Sequence, residues 1–197
     1  HLISDQRISW NRINAFHMDE YIGVLPDAPQ SFGNFLRIRI FDKVPFKNVY
    51  YLNGHATDLE EECTRYTSLL SQFPTDIVCL GIGENGHIAF NDPDVANFND
   101  HKLVKIVKLD HVCRQQQVNE KCFETLEQVP TEALTLTIPA LLKAKWMFCI
   151  VPFKNKSQAV YRTIHGDISE KCPASILRRK EKSSLYLDTE SAQLLNL

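Results

Sequence analysis

His87 lies in the stretch TDIVCLGIGENGHIAFNDP, residues 75 to 93, flanked by Gly86, preceded by Asn85 and followed five residues on by Asp92. An imidazole takes and gives a proton near neutral pH. A nearby carboxylate fixes which ring nitrogen carries the hydrogen, and glycines let backbone approach a ligand closely. Those are the parts of a proton shuttle, although an inert, merely hydrogen-bonded loop histidine would use the same residues. A second acid-base group is Asp19 in HMDEYIG, directly after an apolar run. A partly desolvated carboxylate at the carboxyl end of a strand holds its proton more tightly and can serve as a base between carbons. The competing reading makes Asp19 a cap or the partner of a surface cation. Lys154 and Lys156 in VPFKNKSQA stand where a helix is expected to begin, which suits a phosphate. Arg114 in CRQQQ is a second candidate anion clamp. Solvated cations without a ligand fit both places as well.

Gly81, Gly83 and Gly86 form a GxGxxG match after an apolar run. A dinucleotide site needs a helix to open on the third glycine, so that free backbone N–H groups meet the pyrophosphate. Here Asn91, Asp92 and Pro93 break any helix within two turns, which counts against that reading. Nucleophile-elbow, zinc-protease and P-loop motifs are absent. Cys63, Cys79, Cys113, Cys122, Cys149 and Cys172 are widely spaced, contain no CxxC, and read as reduced core residues of a cytoplasmic protein with no metal site.

The elements that must position these groups follow a βαβ rhythm, which predicts an α/β fold with a mainly parallel sheet. Strands are expected within 12–18, 48–52, 76–81, 102–109, 133–138, 145–151 and 184–188. Phe32, Phe35, Leu36 and Ile40 recur at helical spacing, as do Leu59, Tyr66, Leu69 and Phe73 behind an Asp58 cap with Glu61 three residues on. Further helices are expected over 110–120, 156–165 and 189–195. Ligands of open α/β sheets bind beyond the carboxyl ends of the strands. The candidate residues therefore occupy the right places.

At 197 residues and 44% hydrophobic, residues 1–197 suffice for a single well-buried domain. A net charge of -2, with 22 basic and 24 acidic residues intermixed, offers no field for nucleic acid or an anionic membrane, so a small-molecule partner is expected. No run approaches a membrane span.

HMDEYIG, LGIGENGHIAFNDP, VPTEALTLTIPALL and CPASILRRKEKSSLYLD resemble, in order and spacing, the glucosamine-6-phosphate deaminase/isomerase family of the 6-phosphogluconolactonase superfamily. The resemblance spans Arg12 to the C-terminus. It implies a Rossmann-like three-layer α/β sandwich with a mainly parallel sheet, without the family's N-terminal strand and phosphate loop, which suggests an N-terminally truncated chain. It further implies cofactor-free conversion of an amino-sugar phosphate, glucosamine 6-phosphate, to fructose 6-phosphate and ammonia within amino-sugar catabolism, a hydrolase-class reaction, and it leans toward a homo-oligomer. By this resemblance Asp19 is the base that moves a proton between C2 and C1, and His87 opens the sugar ring. Asn85 falls where members carry Asp or Asn, and Asp92 where they usually carry Glu, one methylene longer. Gly83 and Gly86 serve close approach of the sugar phosphate and mobility of the histidine, while Lys156 and Arg114 hold the phosphate. Alternatives are a galactosamine-6-phosphate deaminase, a 6-phosphogluconolactonase-like hydrolase and a non-catalytic sugar-phosphate binder. MDEYIG and Asn85 weigh against the lactonase.

Overall fold

The computed structural model describes residues 3, 5 and 7–195. Its strands are β1 (Asn14–Phe16), β2 (Asp19–Tyr21), β3 (Asn48–Tyr50), β4 (Ile77–Leu80), β5 (Val104–Lys108), β6 (Glu132–Leu136), β7 (Trp146–Val151) and β8 (Ser183–Leu187). The α-helices are α1 (Phe32–Leu36), α2 (Leu59–Gln72), α3 (His111–Asn119), α4 (Ile138–Leu142) and α5 (Ser157–His165). Three pairings, β1 with β3, β4 with β7 and β7 with β8, are parallel. The other two, β2 with β6 and β5 with β6, are antiparallel and form a ribbon centred on β6. The fold is thus α/β with mainly parallel pairing, as the βαβ rhythm predicts, and the pairings fall into three sheets, β1-β3, β2-β6-β5 and β4-β7-β8.

Side-chain alternation explains why these segments become strands. Val78 and Leu80 of β4 point into the core while Ile77 and Cys79 face outward, and Met147, Cys149 and Val151 of β7 are buried beside them. Asp58 caps α2 by accepting from the N–H groups of Glu60 and Glu61, each at 2.9 Å, an arrangement worth about 1 kcal/mol. Cys63, Tyr66 and Leu70 recur on the buried face of α2. The hydroxyl of the fully buried Tyr66 reaches the carbonyls of His17 at 2.6 Å and Tyr50 at 2.9 Å. Those contacts tie α2 to the carboxyl ends of β1 and β3, beside the turn that leads to Asp19. A large apolar cluster joins α2, β4, β6, β7, α4 and α5. A smaller one gathers Tyr21, Phe90, Cys113, Phe123 and Ala133 between β2, β6 and α3.

Four local expectations change. The expected 12–18 strand stops at Phe16, and Asp19 does not sit in a loop: it opens β2, because Tyr21 and Glu20 bury themselves against β6 in register with Ala133 and Leu134. The helical spacing from Phe32 to Ile40 forms α1 but widens into a π-helix over Arg37–Phe41. Residues 189–195 make only turns. Asp188 and Ser191 bond each other's backbone reciprocally, at 2.7 Å and 3.2 Å, and one i to i−4 bond from Ala192 is followed by tighter i to i−3 bonds. Finally, α4 has no counterpart among the expected helices; Thr137 caps it through the N–H of Ala140 and Pro139 opens it.

Candidate active site

The turn after β4 builds the centre of the site. No helix opens at Gly86, in keeping with the reading against a dinucleotide. Gly86 adopts φ +92°, where a side chain would be strained, and a methyl there would also meet the Cys172 sulfur at 2.8 Å. Its carbonyl accepts from the Ala174 N–H at 2.8 Å. Gly83 serves differently, because the His87 ring lies directly over its α-carbon, in the space a methyl would need. Gly83 therefore makes room for the imidazole. Gly86 turns the chain and does not line the cavity.

Asn85 is the hub of the network. Its Nδ2 donates to Asp92 Oδ1 and Asp110 Oδ2, both at 2.9 Å, and its Oδ1 accepts from the His87 backbone N–H at 2.9 Å. Nδ1 of His87 lies 2.8 Å from Asn85 Oδ1 and 2.9 Å from Asp92 Oδ1. Both neighbours can only accept, so Nδ1 carries a hydrogen, and Nε2 has no partner among the described residues. The ring is thus held at one nitrogen. Burial pushes the Asp92 carboxyl up, but bonds from His87 and Asn85 outweigh it and leave the group below its ordinary value, hence ionised. The shorter side chain of Asp92 reaches His87 without difficulty.

Asp19 and His87 line one cavity of about 1000 Å³, together with Met18, Phe32, Phe35, Gly83, Phe90, Gln116, Gln117, Glu120, Asn155 and Lys156. Burial, with help from the like charge of Glu20, pushes the Asp19 carboxyl up to about 7 against the opposing pull of His87. Such a carboxylate is poised to accept and return a proton near neutrality. On the same cavity Lys156 Nζ, nearly buried, donates to Glu120 Oε1 at 3.2 Å, and Gln116 Nε2 donates to the same oxygen at 2.8 Å.

Arg114 does not join this group. Its guanidinium donates to the carbonyls of Leu126 at 2.6 Å and Val129 at 2.9 Å, stitching α3 to the following turn, and it lies outside the cavity lining. Sequence reasoning selects the arginine of CRQQQ and passes over the glutamines, although amide side chains on an inward helix face are the available signal. It also misses Asp110, which caps α3 through the Cys113 N–H while holding Asn85. Nor does spacing foresee that His87, Asp92 and Cys113 bring one potential metal donor each within 4.8 Å of one another. The three come from separate segments, and coordination there would compete with the bond that orients His87. Cys63, Cys113, Cys149 and Cys172 are buried as expected for core residues; Cys79 and Cys122 are exposed, and all six are free thiols. Among the described residues no helix is long and apolar enough to cross a membrane.

Fold and geometry together define a class: an α/β protein with a carboxylate, an oriented imidazole and a nearly buried ammonium on one cavity beyond the carboxyl ends of parallel strands. Comparison with known proteins narrows it. The profile of the glucosamine-6-phosphate isomerases/6-phosphogluconolactonase family matches residues 1–186, and the chain belongs to that family. It is 39% identical over 188 residues to a glucosamine-6-phosphate deaminase of Bacillus cereus (strain B4264), covering 95% of this chain and 70% of that one. A deaminase of Listeria innocua is 37% identical, covering 95% and 78%. The solved structure of a monomeric glucosamine-6-phosphate deaminase superposes with a TM-score of 0.88 at 34% identity, over 96% of this chain and 78% of that one. A 6-phosphogluconolactonase from Thermotoga maritima shares the fold, with a TM-score of 0.71 at 22% identity over 92% and 75% of the two chains.

Proposed function

We propose that this protein is a glucosamine-6-phosphate deaminase, and that residues 1–197 work as one sugar-phosphate domain. The observation that carries this reading is the placement of two distinct acid-base groups, Asp19 near neutrality and His87 with a free Nε2, on one cavity. Deaminases from several bacteria that match nearly the whole chain support the substrate assignment.

The residues divide the work. His87 moves a proton at the ring oxygen and opens the sugar, its Nδ1 held by Asn85 and Asp92 so that Nε2 faces the reaction. Asp19 then takes the proton from C2 and returns it to C1. As a proton passes from the amine nitrogen to O1, the double bond shifts to C2 and nitrogen; water adds there, and the C2–N bond breaks to give fructose 6-phosphate and ammonia. One water is consumed, which makes the overall reaction formally a hydrolysis. Lys156, at the entry to α5, receives the phosphate; Glu120 occupies the position beside its ammonium that an anionic ligand would take. The chemistry asks for no cofactor. Six free thiols suit a reducing, cytoplasmic setting. The homo-oligomer expected from the family resemblance gains no support from the monomeric relative.

The test is ammonia and fructose 6-phosphate formation from glucosamine 6-phosphate, compared between the wild type and Asp19→Asn. Turnover that falls about 10²- to 10⁴-fold with the amide is expected for loss of the general base. A wild type that releases ammonia from neither glucosamine 6-phosphate nor galactosamine 6-phosphate would sink the reading.

A further inference from the structure

Glu20, next to the proposed base, has no part in the steps above, yet it is only 5% exposed, and among the described residues no lysine or arginine pairs with it. The comparably buried Glu62 has Arg65, at 2.6 Å. A buried carboxylate without a counter-ion persists only when fully hydrogen-bonded. Glu20 meets that condition with four donors. Oε1 accepts from the N–H of Tyr21 at 2.9 Å and of Phe32 at 3.2 Å; Oε2 accepts from Ser31 Oγ at 2.7 Å and the Gly33 N–H at 2.9 Å. Three of the four belong to the start of α1. Gly33 leaves the room this requires, since a methyl there would already lie 3.2 Å from Oε2. Ser31 in turn caps α1 through the Asn34 N–H at 3.1 Å. The helix so held carries Phe32 and Phe35, which line the same cavity as Lys156.

We propose that Glu20 is a positioning residue of this site: its carboxylate pins the first turn of α1, and with it the Phe32 and Phe35 wall, to the strand that carries Asp19, and it is the fixed anion against which Asp19 works. The inference rests on Asp19 being the base. After burial, Glu20 is the largest influence that raises the Asp19 carboxyl. The other groups facing Asp19 do not duplicate it. His87, from the turn after β4, acts in the opposite direction; Tyr21 on the same strand, Tyr66 on α2 and Cys113 on α3 are all pushed up by burial and stay neutral. His17 Nε2 lies 3.9 Å from Glu20 Oε2, and burial drops that imidazole to about 4, so it supplies no positive charge near pH 7. A glutamine cannot replace Glu20, because its amide would point two hydrogens at groups that themselves donate.

The experiment follows the Asp19 carboxyl by carbon-13 NMR against pH, assigned with Asp19→Asn, beside the pH profile of kcat/KM for wild type and Glu20→Gln. In Glu20→Gln the Asp19 midpoint should fall from near 7 toward the ordinary carboxylate value, the acid limb of kcat/KM should move with it, and KM should rise severalfold. Ser31→Ala, which keeps the charge but removes one donor, should raise KM and leave the midpoint alone. An unmoved midpoint or an unchanged KM in Glu20→Gln overturns the proposal. Should that variant fail to fold, Glu20→Asp decides: its anion remains but cannot reach α1, so KM rises at a constant midpoint, and an unchanged KM there overturns the proposal equally. The NMR midpoint is read without turnover, so failure of the deaminase assay leaves the part played by Glu20 decidable.

Discussion

Two parts of the cavity lining are built in opposite ways. In the turn that carries the proposed proton shuttle, Asn85, His87 and Asp92 lie within eight residues of chain and bond one another at 2.8 to 2.9 Å. At the proposed anion end, Lys156 meets Glu120 across 36 residues, and the loop before His87 is tied to that part by Gln116, which accepts the Glu84 N–H at 3.0 Å, and by Asn155, which donates to Glu84 at 2.7 Å. The first is a local device that a short turn can specify. The second exists only once α3 and the segment after β7 have packed together. A change in the first should therefore cost catalysis, and a change in the second should cost affinity.

Gly83→Ala tests the first half most severely. The added methyl occupies the place of the His87 ring, so the imidazole must swing away, and a displacement of about 1 Å is enough to cost on the order of 10²-fold in rate. Steady-state kcat measures this; a near-normal kcat would show that the turn is looser than its contacts imply. Asp92→Asn keeps the shape but offers its amide where a carboxylate accepted, and kcat is expected to drop about 10- to 100-fold with KM little changed.

Lys156→Met and Arg114→Met together sharpen the contrast. Loss of a charge-assisted contact to phosphate should raise KM about tenfold in the lysine variant. The arginine serves backbone carbonyls, so its loss should leave KM within about twofold and lower stability by about 1 kcal/mol, read by denaturant titration. Equal effects of the two variants on KM would erase the difference between a cation that faces the cavity and one that braces the backbone.

The smallest effect concerns pH and stability. The Asp19 carboxyl is raised from 3.8 to about 7 in the fold, so the fold favours its protonated form. That contribution is fully present below about pH 3.8 and is lost as pH rises through about 7. Asp19→Asn carries no such titration. Thermal melts should therefore show this variant more stable than wild type at pH 8, by a few degrees, with the gap closing toward pH 4. A variant no more stable at pH 8 would mean that Asp19 is better solvated than its surroundings suggest.

Periodicity located all seven expected strands, because alternation along β4 and β7 reflects burial that the residues themselves impose. It missed β2, whose three residues are too few to show a period and are recruited by β6. It extended a helix over 189–195, where side-chain bonds between Asp188 and Ser191 close the chain into turns first. At the site, chemistry concentrated in one turn was legible: Asn85, His87 and Asp92 are where their spacing suggested, and Asp19 faces the same cavity. Arg114 was misassigned because an arginine's availability depends on the carbonyls that surround it, and sequence spacing does not report those.

What the sequence alone determined is the set of groups able to transfer protons and the turn that carries most of them, since Gly86 permits a backbone path that few other residues allow and Gly83 leaves room for the His87 ring. Only the tertiary structure decided which nitrogen of His87 is free, that Asp19 is desolvated beside Glu20, and which cation faces the cavity. Protonation and charge depend on burial and on partners at about 3 to 4 Å. Such partners come from chain segments that only folding brings together.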